Sequence, residues 1–218
     1  MDIKRFIGGW LEGNCYVITD KKQKDDQNAK ACFIIDPGYN AKKILRYIEE
    51  SNLDVQGILL THHHSDHTGA VEPIRKELGC PVMMHRADVD IYGGHVDRYL
   101  EDGDVLQLEE TAGCGSAGET PERHTVTLTV LHTPGHTKGG VCFMDEADKV
   151  CFTGDTIFNV DLGRTDLKDG SYEEMVRSIR NVVDKWPNDI TIYPGHGDPA
   201  TMKRVRVINL EFLDIIEG

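Results

Sequence analysis

Gly57-Ile-Leu-Leu-Thr-His-His-His-Ser-Asp-His67 is the stretch on which the reading of the fold turns. Its first half, residues 57–61, is a short apolar run of the kind that forms a strand covered on both faces. Its second half gathers four of the chain's ten histidines and an aspartate between His62 and His67. His62 and His64, two apart where the strand ends, project to the same side, and that shared direction suits one metal ion. His63 alternates to the other side. Asp66 and His67 fall in the turn that follows, displaced along the chain, which suits a second ion beside the first.

Upstream, residues 14–19 and 31–35 are β-rich runs joined by a polar segment at 20–30 that reads as a solvated hairpin loop. Residues 41–50 carry Ile44, Leu45 and Ile48 at helical spacing. Strand, helix and strand in this order make a βαβ unit, so residues beyond Thr61 lie at a strand's carboxyl end, the edge where open sheets receive ligands. Downstream the pattern loosens: a helix over 69–78, a strand at 82–84, a helical piece near 87–92 and a strand at 105–108. Residues 109–124, with Cys114 among them, read as an irregular surface excursion. Strands follow at 125–131, 140–144 and 150–153. Tyr172, Met175, Val176, Ile179, Val182, Val183 and Trp186 share one face of a helix, and a strand at 190–193 and a helix over 202–216 complete the chain. Mixed helices and strands place it in the α+β or α/β class, and with no linker or internal repeat the expectation is one domain over 1–218.

Three further residues stand in loops directly after apolar strands: His136 in Thr-Pro-Gly-His-Thr, Asp155 in Thr-Gly-Asp-Thr and His196 in Tyr-Pro-Gly-His-Gly. A glycine beside each lets the backbone turn sharply and approach another group closely. Composition narrows the class of partner. A net charge of −13 with no basic block disfavours nucleic acid. The first twenty residues lack the apolar core of a signal peptide and no apolar run approaches membrane-spanning length, so a soluble, cytoplasmic chain with no membrane partner is expected. No Cys-x-x-Cys occurs, and Cys15, Cys32, Cys142 and Cys151 sit inside apolar runs as small buried hydrophobes.

The His-x-His-x-Asp-His signature at 62–67, Pro-Gly-His-Thr, Gly-Asp-Thr and Pro-Gly-His-Gly, in that order over about 14–196, resemble the metallo-β-lactamase superfamily. Within it the chain is most similar to glyoxalase II-like hydroxyacylglutathione hydrolases. The resemblance implies a four-layer αβ/βα sandwich with the metals at one edge of two facing sheets. It also implies two divalent metal ions, zinc before iron or manganese. His62, His64 and His136 would hold the first, Asp66, His67 and His196 the second, and Asp155 would bridge them. Such a pair, about 3.5–4 Å apart, holds a shared hydroxide and polarises a carbonyl, with the pKa of water brought from about 15.7 to about 7. Asp66 is the expected catalytic residue, orienting the nucleophile and carrying a proton toward the leaving group.

The substrate implied is a small 2-hydroxyacyl thioester, because a thiolate leaves with little help. Leu162-Gly-Arg-Thr-Asp166 resembles a motif of short bacterial glyoxalase II-like proteins and of persulfide dioxygenases. Arg164 either grips a substrate carboxylate or pairs with Asp166. Lys138 is a second candidate substrate contact, or a solvated loop charge. His85, His95 and His132 read as supporting or surface residues. Full-length glyoxalase II enzymes append a C-terminal helical region that helps hold glutathione, whereas only residues 197–218 follow His196, so little dependence on glutathione is expected. Two other activities share the ligand pattern: a persulfide dioxygenase with one iron on His62, His136 and Asp155, disfavoured by Pro-Gly-His-Gly where those enzymes tend to carry Pro-Ala-His, and a lactonase or phosphodiesterase on the same fold. Oligomeric state is not encoded in these motifs.

Overall fold

The structure, a computed structural model, describes residues 1–21, 29–109 and 126–218. The excursion at 109–124 and the middle of the loop at 20–30 fall almost wholly outside the described residues. Among the described residues, twelve strands form two six-stranded sheets. The first runs in chain order: β1 (Asp2–Gly8), β2 (Gly13–Thr19), β3 (Lys30–Ile35), β4 (Leu53–Leu60), β5 (Val82–His85) and β6 (Arg98–Leu100). Its first three strands pair antiparallel and β3 to β6 pair parallel. The second sheet holds β7 (Val105–Gln107), β8 (Thr127–His132), β9 (Val141–Asp145), β10 (Val150–Gly154), β11 (Thr191–Pro194) and β12 (Ala200–Thr201), ordered β12-β11-β10-β9-β8-β7. Only β10 and β11 pair parallel within it.

Helices cover the outer faces: α1 (Ala41–Glu50), α2 (Ser65–Thr68), α3 (Val71–Leu78) and α4 (Arg86–Tyr92) belong to the first half, α5 (Tyr172–Asn181), α6 (Met202–Ile208) and α7 (Leu210–Glu217) to the second. The layers follow from side-chain alternation. Tyr16, Phe33 and Leu59 point inward and meet Leu128, Phe143 and Phe152 between the sheets. Their neighbours Val17, Ile34 and Ile58 point outward against Ile44 and Ile48 of α1 and Val71 and Ile74 of α3. Cys142, Cys151 and Ile192 do the same on the far side, against Met175 and Ile179 of α5, Val205 of α6 and Phe212 of α7. Three apolar interfaces thus separate four layers, the sandwich expected from the motifs. Each fully buried Phe, Leu or Ile stabilises it by about 1.5–3 kcal/mol. Cys15, Cys32, Cys80, Cys142 and Cys151 are buried free thiols. No helix among the described residues is long and apolar enough to cross a membrane.

The structure corrects several boundaries. β1 carries no strong apolar alternation, because as the edge of its sheet it leaves Asp2, Lys4 and Ile7 exposed. β6 and β12 are too short to show a period. The run at 202–216 is two helices: Asn209 leaves the helical region at φ −85°, ψ 97°, and its side chain accepts from Phe212 N to start α7. The run at 172–186 ends as a helix at Asn181 and continues as a 3-10 turn, Val183–Lys185.

Strand direction decides where the loops go. β3 and β4 are in parallel register, Ile35 opposite Leu59, so Asp36 and Thr61 leave the first sheet side by side. β8, β10 and β11 run the same way in the second sheet, so the loops bearing His136, Asp155 and His196 leave it at one edge. Asn14 fastens the two edges, donating from Nδ2 to Pro194 O (2.9 Å) and Gly197 O (2.8 Å).

Candidate metal centre

Of the four groups of possible ligand atoms gathered here among the described residues, two match the sets expected from the resemblance. His62, His64 and His136 each offer an atom within 4.8 Å of the others, and so do Asp66, His67 and His196. His64 Nδ1 lies 2.9 Å from His136 Nε2, and His67 Nε2 lies 3.3 Å from His196 Nε2. Asp155 spans the groups, with Oδ1 3.4 Å from His67 Nε2 and Oδ2 3.5 Å from His136 Nε2 and 3.6 Å from His196 Nε2. Backbone alone lines this approach at Gly195, where a Cβ would stand 2.3 Å from Asp155 Oδ1 and 2.5 Å from His67 Cε1.

Four of the imidazoles are held by their outward nitrogens. His136 Nδ1 donates to Arg164 O (2.8 Å), His196 Nδ1 to Leu11 O (2.8 Å) and His67 Nδ1 to Asp36 Oδ2 (3.1 Å). Thr61 Oγ1 donates to Asp36 Oδ2 (2.6 Å), leaving its oxygen free to accept from His62 Nδ1 (3.1 Å). With one proton fixed outside, Nε2 is the atom each ring turns to the inside, the arrangement that second-shell acceptors give metal-binding histidines. Two buried atoms of the cluster, His62 Nε2 and Asp155 Oδ1, have no hydrogen-bond partner. Leaving a buried polar group unsatisfied costs about 1–3 kcal/mol, so these residues fit a divalent cation.

Charge differs between the groups. Burial, then the nearby rings of His67, His136 and His64, hold His62 well below the usual histidine range. Burial and the neighbouring His136 and His63 lower His64 to about 4. At His67 burial opposes the proton, but Asp155, Asp36 and Asp66 together raise it to about 9. His196 is also raised against its burial, by its hydrogen bond to Asp66 and by Asp155. Burial would push Asp66 up, yet the bond from His196 and the charge of His67 hold its carboxyl well below the carboxylate range.

The centre forms the floor of a cleft of about 700 Å³. Leu11 flanks one side, and Phe158, Val160, Leu162 and Leu167 form an apolar wall on the other. The wall hangs from the last helix: Asn209 Nδ2 donates to Phe158 O (3.1 Å) and Asp161 O (2.8 Å), and Leu162 N donates to Glu211 Oε2 (2.9 Å). Arg164 lines the cleft too, and its guanidinium makes a bidentate pair with Asp166 (2.8 and 2.9 Å). Lys138 is not brought to the cleft: it is exposed, and its carbonyl accepts from His132 Nε2 (2.9 Å). His132 stacks on His85 with ring centroids 4.1 Å apart, and His95 pairs with Asp97 at the surface. Sequence reasoning missed Asp36 and Asn14. Asp36 had a signal, since it follows an apolar strand just as His136, Asp155 and His196 do, but Asp-Pro-Gly reads first as a turn.

The match to the Metallo-beta-lactamase superfamily covers residues 8–196. Hydroxyacylglutathione hydrolase GloC of Haemophilus influenzae is 33% identical over 204 residues, which cover 88% of this chain and 89% of that protein. Among solved structures, the BLEG-1 B3 metallo-beta-lactamase superposes with a TM-score of 0.78 at 26% identity over 100% of both chains. TTHA1623 in a di-iron-bound form does so with a TM-score of 0.74 at 27% identity, over 94% of this chain and 98% of its own. Fold, ligand cluster and relatives agree, and the chain belongs to the metallo-beta-lactamase superfamily of metal-dependent hydrolases.

Proposed function

We infer that the chain hydrolyses small 2-hydroxyacyl thioesters with two divalent cations, zinc in first place, with iron and manganese the other ions its donor set accepts. His62, His64 and His136 would hold one, Asp66, His67 and His196 the other, and Asp155, whose oxygens face both groups, would be shared between them. The observation that carries this reading is the convergence of five imidazoles and two carboxylates at the base of the cleft, with His62 Nε2 and Asp155 Oδ1 buried and without a hydrogen-bond partner. When bound, such ions supply a nucleophilic water at neutral pH and polarise a carbonyl.

The chain's own residues do the rest. Asp66 Oδ2, 3.2 Å from His196 Nε2, is ionised at neutral pH and faces the cleft, so it accepts a hydrogen bond from the attacking water and orients it. A thiolate leaves with little help from a proton donor and an amine does not, so a thioester asks less of Asp66 than an amide would. The apolar wall offers an acyl group a surface to pack on beside the metal ligands, and GloC, a hydroxyacylglutathione hydrolase by name, supports the same acyl chemistry.

Metal analysis of the purified protein alongside thioester hydrolysis and oxygen uptake tests the proposal. Two ions per chain with lactoyl-thioester hydrolysis are expected. One iron per chain with oxygen uptake would replace it with a dioxygenase.

A further inference from the structure

His63 is the histidine of the cluster that the metal centre does not use, and its surroundings give it work. Its backbone N (3.1 Å) and ring Nδ1 (3.0 Å) both donate to Asp88 Oδ2. Asp88, on α4, is completely buried and accepts two more bonds, from Thr137 Oγ1 (2.9 Å) and Gly139 N (2.5 Å). On the opposite side of the ring, His63 Nε2 lies 3.3 Å from Asp169 Oδ2. A buried carboxylate is stable only when its acceptor sites are filled, and here four donors fill them.

Where those donors sit in the chain matters more than their number. His63 is the peptide neighbour of both His62 and His64, and Thr137 is the neighbour of His136. One carboxylate therefore holds a residue adjacent to every member of the three-histidine group. The loop closes this tightly because residue 139 is glycine: a Cβ there would stand 2.6 Å from Asp88 Oδ1 and 2.7 Å from Asp88 N. The second group is anchored elsewhere, His67 on Asp36 and His196 on Leu11 O.

We propose that Asp88 and His63 are positioning residues forming a clamp that sets the spacing of His62, His64 and His136, and so the affinity of the first metal position independently of the second. The inference rests on the two-metal reading above. Loss of an outer-shell partner typically costs about 10–100-fold in metal affinity, and the clamp confines that loss to one position.

Zinc affinity, measured on the full chain by competition with a chromogenic chelator, tests this. In a His196→Ala background, where only the first group is complete, Asp88→Asn is expected to weaken zinc about 10–100-fold. In a His136→Ala background it is expected to change nothing. His63→Asn, whose side-chain amide donates from near the place of Nδ1, should keep the affinity that His63→Leu loses. That rescue is a readout that general loosening of the fold would not give. If Asp88→Asn does not fold, the two His63 variants decide alone. Equal losses in both backgrounds, no loss in either, or His63→Leu binding as tightly as His63→Asn overturns the clamp. Should the unsubstituted chain not bind two zinc ions, the two-metal reading falls and the clamp with it; two ions with unshifted variants sink only the clamp.

Discussion

The three-histidine group and the group of Asp66, His67 and His196 lie side by side, yet they are prepared for a cation in opposite ways. The first contains only imidazoles, and burial with mutual repulsion keeps His62 and His64 unprotonated, ready to donate. The second lies among Asp36, Asp66 and Asp155, which draw a proton onto His67 up to about pH 9. On the two-metal reading proposed above, a cation entering the first site would meet free lone pairs, whereas one entering the second would displace a proton. Two positions of one centre can thus differ in how their occupancy depends on pH, although both are built from histidine.

Removing the residue that joins the positions is expected to have the largest effect. Asp155→Ala should disturb both, lowering metal content and cutting kcat/KM by about a thousandfold or more, since metal polarisation supplies several kcal/mol. Retention of two tightly held ions in that variant would show the groups to be independent. Asp66→Asn keeps the shape and removes the charge, and turnover should fall well over tenfold, roughly the low end for an orienting group, even with metal bound. Wild-type turnover in the metal-loaded variant would remove Asp66 from the chemistry.

Arg164→Ala sharpens the comparison from the substrate side. The Arg164 side chain is 64% exposed and already paired with Asp166, so losing it should weaken a glutathione thioester by one solvent-screened contact at most, about fivefold or less in kcat/KM. A neutral lactoyl thioester should be nearly unaffected, and an equal loss on both substrates would contradict a charge-specific role.

The smallest effect is on the stability of the metal-free protein. Folded His64 titrates near 4, below its unfolded value, so its contribution declines as pH falls from about 6.5 toward 4. Folded His67 titrates near 9, above its unfolded value, so its contribution is full below about 6.5 and is lost as pH rises through 9. Unfolding midpoints of chelator-treated protein should peak near neutral pH, and His64→Gln should flatten the acid side. A steady rise in midpoint from pH 5 to pH 9 would show that the charge contrast is not there.

The ligands were legible because each lies within a few residues of an apolar strand's end, and strand ends are what periodicity locates well. The four layers were legible through the resemblance carried by those motifs, and alternation within the strands accounts for them. Asp36 and Asp88 were not legible as parts of the site, because their partners lie 25 to 51 residues away and no local pattern records such a contact. β1 escaped for a related reason: its pairing with β2 makes it a strand, and its own residues at the sheet edge do not alternate cleanly. The break at Asn209 is a case of one polar side chain overriding a continuous helical period, since its amide serves the loop at 158–161 and its carbonyl oxygen caps the next helix.

That asparagine also divides the labour of variation. The wall of the cleft is hung from Asn209 and Glu211, while His67 is fastened to Asp36 and His196 to Leu11; His136 alone is tied to the wall's own loop, through the Arg164 carbonyl. Substitutions along the last two helices can therefore reshape what the cleft accepts while leaving the anchors of His62 and His67 untouched. For a protein engineer, residues 202–217 are the place to build a library for new substrates, and for a lineage they are a route to new specificity that touches the reactive floor only through His136.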